Sequence, residues 1–538
     1  MPPLTRLAPG ALLVGGLALA SALAGCGRSP VASSHGTGDP TTLRLVQPDD
    51  PTRFDPHQVQ DGATIEILMH VAEGLVQWDT NSQVAPCLAE RWEVSPDRRT
   101  YTFHLRRNVR FHNGRTLTAD DVVYSLNRAA TLPESPVAST YLDDIVGFSE
   151  VAGKPGRTLR GVRAVDEHTV AITITRPVPY FLMKLTYPTG YVLAREAVAD
   201  LDREMNERDL VGTGPFRIAE YRQGHHVLLE AFPDYWGGAP RLRRISRRIV
   251  GDPATRHAMF ESGEVDLLVL TMADAEQDQR VPALRERMRQ FDRASVFYLG
   301  LNQVAYPPFR DRRVRRAFAL AVDRQAINQS VMMGFTTPAY GVIPKGIEGF
   351  DPDFRGLPFA PDQAKQLLAE AGYPGGSGLP PLTLYFSDHY PDARRVCEAV
   401  AEMIRQNLGV TLALRNVEWT QYLRMATRRE LPFFHIRWAA DYPDPQNFLN
   451  VLLHSRAQMN FSGYRNPEFD RLVEQAETEP DAERRRALYR QAERLAVEDA
   501  PWIPLYFQRD VELWNPKLRG VRSSLMGHLP HLTTYLEP

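Results

Sequence analysis

From Thr42 onward the chain alternates segments whose apolar residues recur at helical spacing with short segments that read as strands. The clearest pair is "ARRVCEAVAEMIRQNL", which puts Val396, Val400, Met403, Ile404 and Leu408 on one helical face, followed by the strand-like "VTLALRNV". Repeated along a chain, a helix-then-strand rhythm specifies an α/β fold rather than an all-α one. A chain of 538 residues is too long for one compact core, so roughly three domain-sized units are expected.

The first region opens with "TTLRLVQPDDPTRFDPH" and enters an apolar helix, "TIEILMHVAEGLVQWD". In the next segment "TYTFHL" and "VRFH" alternate like strands around the turn Asn113-Gly114. Thr118 then caps a helix whose first turn carries Asp120 and Asp121, where acids suit the helix dipole. A second α/β region runs from "VGTGPFRIAEY" to "MFESGEVDLLVL", and a third starts at "FYLGLNQ" and continues through the helix "DRRVRRAFALAVDRQAIN".

The N-terminus stands apart. Arg6 precedes the uncharged run Ala11 to Gly25, short for a membrane span, which needs about 20 residues, and right for a signal-peptide core. It ends in Leu23-Ala24-Gly25-Cys26, which looks like a bacterial lipobox, with Cys26 the lipidated residue. Residues 1–25 are thus expected to be removed and 26–40 to form a flexible tether. After Cys26 only Cys87 and Cys397 remain; two thiols make no disulfide framework, and two buried free thiols are expected over one bridge.

The 63 basic and 65 acidic residues leave a formal net charge of -2, so nothing electrostatic points to nucleic acid. "DRRVRR" is an isolated charged helix face. Cysteine and histidine spacing fits no metal site, and H-E-x-x-H, G-x-S-x-G and P-loop motifs are absent. No catalytic residue, metal or cofactor is therefore expected.

One stretch carries chemistry. "WAADYPDP", Trp438 to Pro445, sets Asp441 and Asp444 among aromatics and prolines. Acids beside prolines are ordinary turn residues, which fits Asp444; Asp441 is either a second turn residue or a carboxylate awaiting a cation.

Ten phrases in order resemble the family 5 extracellular solute-binding proteins, the peptide, nickel and oligosaccharide type. They include Phe54-Asp55-Pro56-His57, "LAERWEVSPD" from Leu88, "VRFHNGRTLTADDVVYSL" from Val109, "GTGPF" from Gly212, "SGEVD" from Ser262, "DRRVRRAFALAVDR" from Asp311, "LLAEAGYP" from Leu367 and "DYPDP" from Asp441. The resemblance implies a two-lobe clamshell with an additional subdomain, closing on a ligand for an ATP-binding-cassette permease. Lobe I would comprise 41–72, 196–296 and 504–538, the extra subdomain 73–195, and lobe II 297–503. Strands crossing near Phe297–Leu299 and Ile503–Leu505 would form the hinge. The protein would be a monomer tethered by lipid on the outer face of a bacterial membrane.

In oligopeptide-binding members the position of Asp441 pairs with the ligand's α-ammonium group. Trp438 and Trp419 would line the cavity or pack in the core. Backbone groups around Arg437 to Ala439 would hold the ligand main chain as an added strand. His435 and Arg437 offer positive charge to a peptide carboxylate. The dipeptide branch carries an arginine where this chain has Ser387 and Asp388, which argues against a dipeptide-specific pocket. An oligosaccharide or metal chelate is the alternative ligand. A tethered hydrolase using Asp441 and Asp444 as a carboxylate pair is disfavoured by the intervening Pro443.

Overall fold

The computed structural model describes residues 39–133, 135, 137–199 and 203–538. The signal segment, Cys26 and most of the tether lie outside the described residues.

An eleven-stranded sheet runs through the molecule. At its centre the long strands Met288–Leu301 and Trp502–Trp514 pair antiparallel. Beside Trp502–Trp514 lie, in spatial order, Leu267–Val269, Thr42–Gln47, Arg244–Ile249, His226–Ala231 and Phe216–Arg222. Beside Met288–Leu301 lie Phe433–Ala439, Leu382–Phe386 and Leu412–Asn416, while Thr337–Pro338 pairs with Trp502–Trp514 off this path. The two central strands thus tie the two halves together. Their ladder shifts register between Asp292 and Val296 and again between Phe297 and Tyr298, and such irregularities bend a strand pair.

Apolar burial divides along the same line. One core is built from residues between Ala294 and Phe507. Another joins Leu43, Ile67, Phe216, Ile245 and Leu518, with a neighbouring cluster around Phe260, Leu268 and Val511. A further core spans Leu75 to Ala194 beneath the four-stranded sheet Ala89–Val94, Thr100–Leu105, Thr169–Thr173 and Val162–Asp166. This is a two-lobe clamshell with an additional subdomain. Tyr442 crosses the cleft into the subdomain's core and stacks on Tyr180 at 5.8 Å. Beside it Glu477 accepts from Arg176 Nη1 at 2.6 Å and from the Tyr180 hydroxyl at 3.1 Å.

Local sequence signals explain several elements. Helix Ala393–Leu408 buries Val396, Val400, Ile404 and Leu408 and ends at Gly409, whose φ of 71° suits glycine. Helix Ala119–Thr131 starts where the Asp121 carboxylate accepts from both the Thr118 N–H and its hydroxyl. Cys87 and Cys397 are buried free thiols.

Two expectations are corrected. The helix read through "TIEILMHVAEGLVQWD" covers only Gly62–Leu68; Glu73–Gly74 pairs instead with Tyr191–Val192, and Val76–Trp78 with Val84–Pro86. A Cβ on Gly74 would press on the Leu185 and Gly190 carbonyls, so that position fits close backbone approach. "VRFH" is not a strand: the turn at Gly114 supports a single bridge between Arg110 and Thr116, and Thr100–Leu105 pairs with Ala89–Val94 and Thr169–Thr173.

Candidate ligand-binding site

A cavity of about 530 Å³ lies where the two lobes and the subdomain meet, within the roughly 300–1,000 Å³ of small-ligand sites. The segment after the first helix gives it Glu73 and Trp78, and the subdomain Tyr187 and Tyr191. Tyr235, Trp236 and Arg293 line it, and the C-terminal segment adds Arg522, His528 and Leu529. The far wall is Arg437, Ala439, Ala440 and Asp441.

Strand Phe433–Ala439 positions that far wall. It pairs antiparallel with Met288–Leu301, Arg437 opposite Phe297 and Ala439 opposite Ser295. Side chains alternate across a strand, so His435, Arg437 and Ala439 share one face and Trp438 points to the other. Trp438 packs against the lobe core and donates from Nε1 to Asn447 Oδ1 at 3.0 Å. Trp419 is sandwiched between His389, 4.4 Å away, and Tyr422 at 5.8 Å. His435 lies fully buried under Phe297 and Tyr390, with no hydrogen-bond partner at either ring nitrogen; burial drives its pKa down to about 4. The structure therefore brings Arg437, Ala439 and Asp441 together in the cavity wall and leaves Trp419, Trp438 and His435 behind it.

The strand's other edge is paired only at its start, where Leu384 meets Phe433 and Tyr385 meets Phe434. Beyond that the His435 carbonyl accepts the Tyr422 hydroxyl at 2.7 Å and the Tyr390 hydroxyl hydrogen-bonds the Arg437 backbone, and among the described residues no strand covers the edge from Ile436 to Ala439. A bare sheet edge offers a row of backbone donors and acceptors.

Asp441 follows this edge. Its N–H donates to Asn447 Oδ1 at 3.1 Å, so one amide oxygen pins both Trp438 and Asp441. Burial pushes its carboxyl pKa up to about 6, against the pull of the Tyr141 hydroxyl and Asn447. Tyr141 is itself fixed by stacking on Tyr187 at 3.8 Å. Among the described residues no cation pairs with Asp441. Asp444 has a different place: it accepts from the Gln446 N–H at 2.9 Å, and Arg485 Nη2 reaches its two oxygens at 2.7 and 2.9 Å. Glu73, buried beneath the cavity, accepts from the Tyr235 hydroxyl at 2.7 Å, Thr213 at 2.8 Å and Trp236 Nε1 at 2.9 Å; burial outweighs these donors and raises its pKa.

Sequence reasoning did not find Asn447, Tyr141, Glu73, Arg293 or Arg522 as site residues. Each is polar and far from Asp441 in sequence or function-neutral by type, and only the fold collects them.

A cleft between two α/β lobes, walled by the uncompensated Asp441 carboxylate and a strand edge that no other strand covers, is the arrangement of a solute-binding protein. Residues 83–460 match the bacterial extracellular solute-binding proteins, family 5, and the chain belongs to that family. It is 30% identical to the dipeptide-binding protein DppE of Bacillus subtilis, covering 95% of this chain and 96% of the relative. It is 31% identical to heme-binding protein A of Haemophilus influenzae, covering 89% of each. Among solved structures, Haemophilus influenzae OppA in complex with RPPGFSPFR superposes with a TM-score of 0.75 at 26% identity, covering 93% of this chain and 99% of that one. Among the described residues no helix is long and apolar enough to cross a membrane.

Proposed function

We propose that the chain is the extracytoplasmic receptor of an ABC importer and that its ligand is an oligopeptide. The observation that carries this is the strand edge Ile436–Ala439, left without a pairing strand among the described residues, leading directly to Asp441. A peptide laid along that edge pairs its main chain without any reading of side chains, and its α-ammonium reaches Asp441, a wall carboxylate with no cation partner among the described residues. Relatives named for dipeptides, and a fold relative bound to a nonapeptide, support the reading.

Lobe I is taken as 41–72, 196–296 and 504–538, the extra subdomain as 73–195 and lobe II as 297–503. Water expelled on closure strengthens the polar contacts inside, and the closed surface is what the permease would read. The receptor acts as a monomer held by lipid on Cys26. It is not a hydrolase on this reading, because Asp444 is buried and engaged by Arg485 and so is not free to pair with Asp441 across a bond. A metal chelate is the second reading, favoured by the relative named for heme. Native mass spectrometry of protein purified from its own host separates them: a releasable adduct that fragments as a peptide is expected, and a chelate or sugar adduct would refute the assignment.

A further inference from the structure

The subdomain and lobe II also meet outside the cavity, and the contacts converge on one carboxylate. Glu477, near the end of helix Pro467–Thr478, accepts from Arg176 Nη1 at 2.6 Å and from the Tyr180 hydroxyl at 3.1 Å, both across the cleft. From its own lobe Gln446 Nε2 donates to it at 3.3 Å. The Glu477 side chain is 13% exposed and that of Arg176 47%. A half-exposed ion pair alone contributes little, but here a largely buried acceptor holds three donors, and such a network can exceed the sum of its pairs. Three residues on, Arg98 Nη1 donates to the Pro480 carbonyl at 3.1 Å, and close by the Tyr442 ring enters the subdomain's core. None of Arg98, Arg176, Tyr180, Tyr442, Gln446 and Glu477 lines the cavity.

These contacts nevertheless share a turn with the ligand wall. Asp441 lines the cavity, while Tyr442, next in the chain, stacks on Tyr180 and donates to Gln446 Oε1 at 2.6 Å. Gln446 is followed by Asn447, whose Oδ1 holds the Asp441 N–H. Residues 442 and 446 thus belong to the outer contact, and 441 and 447 to the cavity. The turn between them is fixed. The Asp444 carboxylate accepts from the Gln446 N–H and from Arg485, and the Asp444 carbonyl accepts from the Asn447 N–H at 3.0 Å. A turn tied in this way moves as one piece, so the outer contact and the ligand wall come into place together.

We propose that Glu477 is the shared acceptor of a clasp between the subdomain and lobe II, and that this clasp sets how fast a bound ligand leaves. The ligand departs only when the lobes part, and the clasp has to break first. Its strength therefore enters the release rate although no clasp residue lines the cavity. The choice of a peptide as probe rests on the peptide reading; the clasp itself does not.

Stopped-flow tryptophan fluorescence with trialanine measures release. Glu477→Gln and Arg176→Gln are each expected to release trialanine about fivefold faster than wild type, and Arg176→Lys to fall between. The double Gln variant should be little faster than Glu477→Gln alone, because both changes break one contact. Release from both single Gln variants within about twofold of wild type would overturn the proposal. A lowered melting temperature with unchanged release, the mark of a merely structural pair, would do the same, as would effects that simply multiply in the double variant. If wild type does not bind trialanine, the peptide reading fails, and X-ray scattering of the protein alone decides the clasp. A larger radius of gyration in the double Gln variant supports it; equal radii overturn it.

Discussion

Replacing Asp441 by asparagine should make the protein more stable and a worse receptor at once. Burial holds the Asp441 pKa at about 6, against an ordinary 3.8; that difference is a cost of about 3 kcal/mol for ionising the carboxylate in the empty cleft. Because the folded pKa lies above the unfolded one, the group's favourable contribution is complete below the ordinary value and is lost as pH rises through about 6. Asparagine keeps the shape and carries no such cost. Asp441→Asn should therefore melt higher than wild type at about pH 7.5, and the two curves should converge towards about pH 4. For a free-amine peptide the sign reverses. The ammonium offsets the cost in wild type and is left unpaired in the variant, so affinity should fall by roughly a hundredfold, the equivalent of about 3 kcal/mol. Wild-type affinity should itself drop about tenfold for each pH step below the Asp441 pKa, since binding then requires a proton to leave. Differential scanning calorimetry across pH, with titration calorimetry of one peptide, measures both halves. A variant that melts with wild type at about pH 7.5 and binds within about threefold of it would refute the reasoning.

Other consequences are checked independently. Arg485→Met strands the buried Asp444 carboxylate, 1% exposed, and should cost roughly 3–5 kcal/mol in urea unfolding; a loss below about 1 kcal/mol would contradict the buried pair. Tyr442→Ala removes the ring that enters the subdomain core and donates to Gln446 Oε1 at 2.6 Å. X-ray scattering should then show a more open ligand-free molecule, and an unchanged radius of gyration would count against Tyr442 as a closure contact. Cys26→Ala should release the protein from membranes, since stable tethering needs more than one acyl chain; unmodified Cys26 in mature, membrane-free wild type would remove the anchor.

The α/β class was legible because its signals are local. The apolar face of Ala393–Leu408 and the Thr118–Asp121 capping pair are each set within a few residues. What could not be read is what distant pairing decides. Glu73–Gly74 becomes a strand only because Tyr191–Val192 arrives beside it, and apolar periodicity carried the predicted helix past its real end at Leu68. The site divides the same way. The phrase around Asp441 marks the carboxylate, but strand alternation turns Trp438 away from Arg437 and Ala439 once the strand is in place. Arg522 comes from a segment with no motif at all, and only the fold brings it into the same cavity wall as Arg437.

The central claim is that Asp441 receives a peptide's α-ammonium, and a thermodynamic cycle tests it most directly. Titration calorimetry would compare wild type and Asp441→Asn, each with a free-amine oligopeptide and with its N-acetylated form. Acetylation is expected to weaken wild type about as much as the substitution does, roughly a hundredfold, and to add little to the loss in the variant. Equal binding of the two peptides by wild type, or losses that simply add in the variant, would contradict it.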